Sequence, residues 1–388
     1  MGLASDKKPL RILHLITSLQ VGGAQMHLYK TVTRFHPEKI SSLVVSLAGP
    51  GKVGGLIREQ GIPVLALGMR PGCFSLRAWS TLLGCIRRFR PHVLQTYLYH
   101  ADLLGYLAGR WTGVPTILWN LRQSRMDFSR YRRTTSLTVR LCARLSRGVQ
   151  RILVNSHAGL KAHTQLGYDA ARMQVVPNGF ELNRFRPHPS SYREVRRELG
   201  LAPEARLVGM LARFDPQKDH NIFLNAASLV QARHPETHFL LAGKGLTPDN
   251  PALVQLVGNP QLDRRRLSLL GERSDTPRLL AALDVCVSAS SFGEGFPTVV
   301  GEAMACGVPC VVTDVGDSAL VVGKTGLVVQ PGKAEELSGA LEAALAWPPA
   351  ERTSRSQAAR ARIQQQFDIN RIAAQLESMY LDLAVQPA

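Results

Sequence analysis

Two glutamates, Glu294 and Glu302, are separated by seven intervening residues in GEGFPTVVGE. Upstream, Asp284–Ser288 reads as a strand; downstream, helical spacing begins at Thr298. The loop between them holds Gly293 and Gly295, and Pro297 is suited to opening a helix. A glycine-rich loop feeding a helix start offers free backbone N–H groups and a positive dipole end, which together attract phosphate. Two carboxylates beside a phosphate would repel it. They make sense as acceptors of hydrogen bonds from hydroxyls, which a sugar and a ribose supply. Glu302 lies one helical turn after Thr298, so the two share a face.

Phosphate charge calls for cations. Arg213 and Lys218, in GMLARFDPQKDH, follow the first strand of the second half. An arginine can clamp two phosphate oxygens, and a lysine adds a point charge. The chain contains no Asp-x-Asp, and no His, Cys or acidic cluster has metal-ligand spacing. The expectation is that side chains neutralise a diphosphate leaving group, with no metal and no cofactor.

The elements that must position these groups alternate between short β-rich runs and helical spacing. In the first half the strands are read at Arg11–Ile16, Ser42–Leu47, Val64–Leu67, Val93–Thr96, Thr116–Trp119 and Arg151–Asn155, with helices such as Leu76–Phe89 and Leu103–Trp111. Val175–Pro187, with its Pro-Asn-Gly, reads as a linker. The alternation then restarts. Strands are read at Leu207–Leu211, His238–Ala242, Leu267–Leu270, Asp284–Ser288, Cys310–Thr313 and Leu327–Val329. Helices are read at Asp219–His234, Thr276–Leu283, Thr298–Cys306 and Ala334–Ala346, and a last amphipathic helix at Asn370–Leu383. The predicted fold is α/β: two doubly wound, Rossmann-like parallel-sheet domains facing a cleft. The expected domains are 1–180, joined by a return helix at about 370–388, and 188–368.

At 388 residues, with 45% hydrophobic and 20% charged residues, the composition is that of a folded multidomain protein. It excludes collagen, a disordered chain and a disulfide mini-protein. No apolar run reaches the ~18 residues of a spanning helix, and Met1–Leu10 has no signal-peptide core. The six cysteines form no CxxC pair and read as reduced packing residues of a cytoplasmic protein. The net charge of +18 is unevenly spread: residues 1–186 carry 27 basic and 7 acidic side chains, and the remainder 20 and 22. An excess of this kind points to an anionic partner such as a membrane surface. Arg130, Arg132, Arg133, Arg140, Arg144 and Arg147 fall in one stretch that includes the helical Ser136–Leu145, with Leu137, Leu141 and Leu145 among them. This is the layout of an interfacial amphipathic helix, or of a core helix showing arginines to water.

The sequence resembles glycosyltransferase family 4, the retaining, nucleotide-sugar-dependent enzymes of the GT-B fold. The resemblance runs through VGGAQ at 21–25, PNGF at 177–180, RFDPQKDH at 213–220, LLAGKG at 240–245, the Glu294–Glu302 element and DVGDSALVVGKTGLVVQPG at 314–332. It implies that Arg213 and Lys218 hold the donor diphosphate, that Glu302 binds the ribose and that Glu294 binds the transferred sugar. Backbone at Gly295, Phe296, Pro297 and Thr298 would flank sugar and phosphate, and Gly22 and Gly23 would let a first-domain loop approach the diphosphate. Many members carry a His after the strand matching Thr116–Trp119, where this chain has Asn120, Leu121 and Arg122. Asn120, Arg122 and the group Tyr97, Tyr99, His100 and Asp102 are candidates for the acceptor side. The implied activity is retaining transfer from a UDP- or GDP-sugar to a lipid-linked or cell-envelope saccharide, by a protein peripheral to the inner face of the cytoplasmic membrane. A nucleotide-sugar epimerase of the same fold is the alternative. A nucleic-acid-binding protein lacks any supporting zinc-finger spacing or RNP motif. A dinucleotide oxidoreductase is disfavoured because VGGAQ is not G-x-G-x-x-G.

Overall fold

A computed structural model of the protein describes residues 8–70, 72–124 and 133–385. The chain forms two compact units, residues 1–179 with 369–388, and residues 180–368. Each contains one parallel sheet, the expected α/β architecture.

The first sheet has seven strands: β1 (Leu10–Ile16), β2 (Ile40–Ser46), β3 (Val64–Ala66), β4 (Val93–Tyr97), β5 (Thr116–Leu121), β6 (Arg151–Val154) and β7 (Met173–Val175), in the order β3-β2-β1-β4-β5-β6-β7. The second has six: β8 (Arg206–Leu211), β9 (Thr237–Ala242), β10 (Leu267–Leu269), β11 (Val285–Ser288), β12 (Cys310–Thr313) and β13 (Leu327–Val329), in the order β10-β9-β8-β11-β12-β13. β4, β5, β9, β11 and β12 are buried along their whole length, and β4, β5 and β9 bury polar side chains such as Gln95, Asn120 and His238 among the apolar ones. Strand order reverses between β1 and β4 in the first sheet and between β8 and β11 in the second. Loops leaving the carboxyl ends of those strands diverge there and open a crevice for ligand. Ile16 at the end of β1 lies opposite Tyr97 at the end of β4, and Val208 and Gly209 of β8 lie opposite Val285 and Cys286 of β11.

Several elements depart from the sequence reading, among them the helices Pro189–Glu198, Pro251–Val257 and Ser318–Val322, which it did not include. Met173–Val175 is a strand, paired with Ile152–Val154 at the start of the segment read as linker. Gly51–Glu59 is a helix although it holds three glycines, because it buries Val53 and Ile57. Pro349–Gln366 is an 18-residue helix that buries only Ala359 and Ile363. Polar bonds do much of the docking of that helix: Arg360 donates to the carbonyl oxygen of Ala305, and Arg362 to those of Val321 and Leu320.

The last helix, Ile369–Val385, belongs to the first unit. Its Ile372, Ala373, Leu376, Met379 and Tyr380 join the core formed by Ile12, Ile16, Leu28 and Tyr97. Glu377 accepts from the backbone N–H of His36 and from Lys39 Nζ, the latter at 2.8 Å.

Candidate active site

The loops that leave β8 and β11, on either side of the switch point of the second sheet, bring the predicted donor residues together. After β8 the chain makes a short turn, Pro216–Lys218, held by Asp215, whose Oδ1 accepts from the backbone N–H of Gln217 at 2.9 Å. Asp219 then caps the His220–Arg233 helix by accepting from the N–H of Ile222. Lys218 is thereby aimed at the loop after β11, where its Nζ lies 2.6 Å from Glu294 Oε2. The same oxygen accepts from Ser290 Oγ at 2.8 Å, and Gln217 Nε2 approaches it at 3.5 Å. Both ends of the ion pair are largely shielded, with side-chain exposures of 17% for Lys218 and 10% for Glu294. Such a pair is held by geometry as well as by charge, unlike a fully solvated surface pair. Arg213 differs: it is exposed, and its Nε lies 3.0 Å from Asp215 Oδ2. His220, beside Lys218, is buried, and burial first and Lys218 second hold its pKa down at about 4. It is neutral at pH 7 and adds no charge to the loop.

The Glu294 loop is fixed from both sides. The carbonyl oxygen of Gly295 accepts from the N–H of Asp317, and Thr313 Oγ1 donates to the carbonyl oxygen of Ser290 at 2.6 Å. Gly316 has φ +65°, and a Cβ there would lie 2.2 Å from the carbonyl oxygen of Glu294. Phe296 packs with Phe180 and Phe367 beneath the start of the Thr298–Ala305 helix. Phe180, read from sequence as part of the linker, is thus a core residue of the second unit. Its ring lies so close to Gly301 that a Cβ there would sit 2.0 Å away. Pro297 is buried, Thr298 exposed, and Glu302 half-buried on the same helical face as Thr298. Sequence reasoning missed Ser290 and Gln217 as holders of Glu294. Ser290 stands four residues before Glu294 in the same loop; Gln217 carries no local signal.

In the first unit, Gly22 and Gly23 stand at the start of the Gly23–Val32 helix, after the loop that leaves β1. A Cβ on Gly23 would meet no atom within 4 Å, so packing within the fold does not account for that glycine. The acceptor candidates separate into two kinds. Tyr97 and Tyr99 are buried: Tyr97 OH lies 3.4 Å from His14 Nδ1, and Tyr99 OH lies 2.8 Å from His163 Nε2. Asp102 is fully buried, accepts from Thr96 Oγ1 at 2.5 Å and faces the electrostatic neighbours Cys142 and Tyr168. Asn120 is buried at the end of β5. These four side chains are built into the packing rather than presented to a ligand. Arg122 is half-buried, donates to Asn178 Oδ1 and has His27 and Tyr97 as electrostatic neighbours. Burial lowers its pKa to about 10, so it stays cationic at pH 7. His100 alone of the group lines an open cavity of about 400 Å³. Leu98, two residues before it, has φ 73° and ψ 145°, a strained conformation for a side-chain-bearing residue.

Burial raises the pKa of Asp102 to about 7. Its unfolded form ionises near pH 4, so the native state holds the extra proton between about pH 4 and pH 7, and stability falls as pH rises through that window. Asp102→Asn keeps the acceptor for Thr96 and removes the titration. The wild type is expected to lose about 2–3 kcal/mol between pH 5 and pH 8 that the variant keeps. Denaturant titrations at both pH values check this; equal losses would contradict it.

The helix Arg133–Leu145 buries Val139, Cys142 and Ala143, while Leu145 packs only partly on the core and Leu137 is exposed. Arg140, Arg144 and Arg147 are exposed; Arg130, Arg132 and the side chain of Arg133 lie outside the described residues. Among the described residues no helix is long and apolar enough to cross a membrane.

Residues 21–184 match the family model described as Glycosyltransferase Family 4, and residues 205–346 match that described as Glycosyl transferases group 1. The chain is 27% identical over 254 residues to the UDP-Gal:alpha-D-GlcNAc-diphosphoundecaprenol alpha-1,3-galactosyltransferase of Escherichia coli, an alignment covering 63% of this chain and 64% of that protein. It is 31% identical over 208 residues to the D-inositol 3-phosphate glycosyltransferase of Rhodococcus erythropolis, covering 51% of this chain and 46% of that protein. The chain therefore spans about half to two thirds of the length of these relatives. Its fold is similar to that of Anabaena Alr3699/HepE, solved in complex with UDP, with a TM-score of 0.83 and 24% identity over 96% of this chain and 100% of that one. The two glycosyltransferase models match successive stretches of the sequence that together take in most of it, so the chain belongs to glycosyltransferase family 4.

Proposed function

We propose that the protein is a retaining, metal-independent glycosyltransferase that moves a sugar from a UDP- or GDP-sugar to a lipid-linked or cell-envelope saccharide. The observation that carries this reading is the shielded Lys218–Glu294 pair at the switch point of the second sheet. There Lys218 and Arg213 face the donor diphosphate, Glu294 accepts from hydroxyls of the sugar and Glu302 from those of the ribose. Backbone at Gly295, Phe296, Pro297 and Thr298 lies against sugar and phosphate. Gly22 and Gly23 present a second helix start to phosphate. In the reaction the bond from the anomeric carbon to the diphosphate oxygen breaks, and the acceptor oxygen bonds to the same face of that carbon. The acceptor's proton passes to the departing diphosphate. The protein's contribution is charge stabilisation of the leaving group and fixed geometry. The Escherichia coli relative is named for UDP-Gal and a diphosphoundecaprenol substrate, which makes UDP-sugars and a lipid-linked acceptor the first to try.

The direct test is turnover of UDP-glucose, UDP-galactose and GDP-mannose with and without a lipid-linked acceptor. Acceptor-dependent release of nucleoside diphosphate supports transfer; isomerised sugar without acceptor supports an epimerase. Since cationic side chains take the role of a divalent ion, activity is expected to survive excess EDTA. Loss that Mg²⁺ or Mn²⁺ restores would contradict this.

The basic first half, with exposed Arg140, Arg144 and Arg147 beside exposed Leu137, supports peripheral attachment to an anionic membrane surface at its cytoplasmic face. Each such arginine contributes about 1 kcal/mol, so replacing all three by Gln should weaken binding to phosphatidylglycerol vesicles about 100-fold. Co-sedimentation at low and high salt measures it. A variant that sediments like the wild type would remove this helix as the attachment site.

A further inference from the structure

The cavity beside His100 has a chemistry that a saccharide alone does not explain. It lies wholly within the first unit, at the carboxyl ends of β1, β2, β3 and β4. Thr17 and Ser18 follow β1, Leu47 and Ala48 follow β2, Met69 and Arg70 follow β3, and His100 follows β4. Leu47, Met69, Phe74, Leu103 and Leu104 supply most of its wall; the polar lining residues are Thr17, Ser18, Arg70, His100, Thr134 and Thr138. Sugar-binding surfaces need hydrogen-bonding groups for each hydroxyl buried, and this wall would leave them unpaired.

The apolar lining does not stop at the cavity. On the Tyr99–Thr112 helix, His100, Leu103, Leu104, Leu107 and Trp111 recur at intervals of three and four, so they form one stripe. The first three line the cavity; the last two are exposed, Trp111 at 71%. Eleven residues of helix carry the stripe about 16 Å along the surface. Exposed cationic side chains accompany it: Arg110 on the same helix, Arg140 and Arg144 on the Arg133–Leu145 helix packed against it, and Arg77 on the neighbouring Leu76–Phe89 helix.

We infer that this cavity and stripe bind the hydrocarbon chain of an anionic lipid acceptor, with its phosphate toward Arg70 and His100. Charge complementarity selects the occupant: a hydrocarbon chain suits the apolar lining that continues along the helix, and a phosphate suits the basic rim. The inference rests on the reading of the first unit as the acceptor side and narrows the acceptor to one in which the apolar chain itself is recognised.

Cys73 gives a direct readout, because it lines the cavity and is exposed, while Cys142, Cys286, Cys306 and Cys310 are buried and Cys85 is half-buried. The rate of alkylation of Cys73 by iodoacetamide, followed by peptide mass spectrometry on the intact protein, reports occupancy. Dodecyl phosphate, kept below its micellar concentration, is expected to slow the reaction at least fivefold, and inorganic phosphate at the same concentration to leave it unchanged. Ala48→Trp, which fills the cavity from its half-buried wall, and Phe74→Ala, which removes an exposed wall at no core cost, should each weaken that protection tenfold or more. Equal rates with and without dodecyl phosphate, equal protection by inorganic phosphate, or full protection in a folded Phe74→Ala protein would each overturn the inference. Because no donor sugar enters the assay, its outcome is independent of transfer: protection without turnover of any nucleotide sugar would leave the chain-binding site standing and remove the proposed activity.

Discussion

Glu294→Gln is expected to reduce kcat/KM for transfer about 10- to 100-fold while sparing the affinity for free UDP or GDP. Glu302→Gln should weaken that same affinity by a similar factor. A charge-assisted hydrogen bond removed from a shielded site costs about 1.5–3 kcal/mol, which sets the scale. The asymmetry comes from the chemistry of the partners: ribose is present in donor and product alike, whereas the transferred sugar is not. The geometry sharpens the expectation for Glu294. Its carboxylate neutralises Lys218 at 2.6 Å, so the Gln variant leaves that ammonium fully available to a diphosphate. Free nucleotide should bind the variant at least as well as the wild type. Calorimetric titration with UDP and GDP alongside initial-rate kinetics separates the two roles; equal losses of nucleotide affinity in both variants would refute the division.

Gly316→Ala is expected to lower transfer by two orders of magnitude or more with only a modest loss of stability. At φ +65° a Cβ costs about 1 kcal/mol on conformational grounds. The larger effect is positional, since that Cβ would fall 2.2 Å from the carbonyl oxygen of Glu294 and 2.8 Å from that of Gly295. The loop must shift, and a misplacement of about 1 Å in a positioning element can cost 100-fold in rate. Gly332→Ala is the matched control, because Gly332 has φ +75° but its Cβ would meet nothing within 4 Å. If both variants keep wild-type activity, the turn at 315–317 does not hold Glu294 in place.

The donor loop was legible in the sequence because several local signals coincide there: a buried strand, glycines, a helix-opening proline and a carboxylate one turn into the helix. The alternation of strands was legible as well, since buried strands such as Val285–Ser288 and Cys310–Thr313 leave short runs rich in β-branched residues. What escaped was carried by long-range partners. The Pro349–Gln366 helix is polar nearly all round and docks largely through Arg360 and Arg362 on backbone carbonyls, which leaves little hydrophobic period to read. Phe180 reads as linker because Pro-Asn-Gly precedes it; its role appears only when Phe296, Phe367 and Gly301 close around it. The acceptor-side candidates were chosen by residue type. Type alone does not separate Asp102, turned into the core, from His100, two residues earlier on the other face of the same helix and turned toward a cavity.

The return helix sets the order in which the molecule can be completed. Ile372, Leu376 and Tyr380 belong to the core of the first unit, yet they are synthesised after every residue of the second. On the ribosome the first sheet must wait with an apolar face uncovered while residues 180–368 emerge and fold. At about 5–20 residues per second that wait lasts on the order of 10 s or longer, ample time for an uncovered face to meet another chain. A nascent chain stalled just before Ile369 would therefore carry a finished second unit and an unfinished first one. It is at this stage of biogenesis, rather than in the finished fold, that the first unit's apolar face is open to other chains.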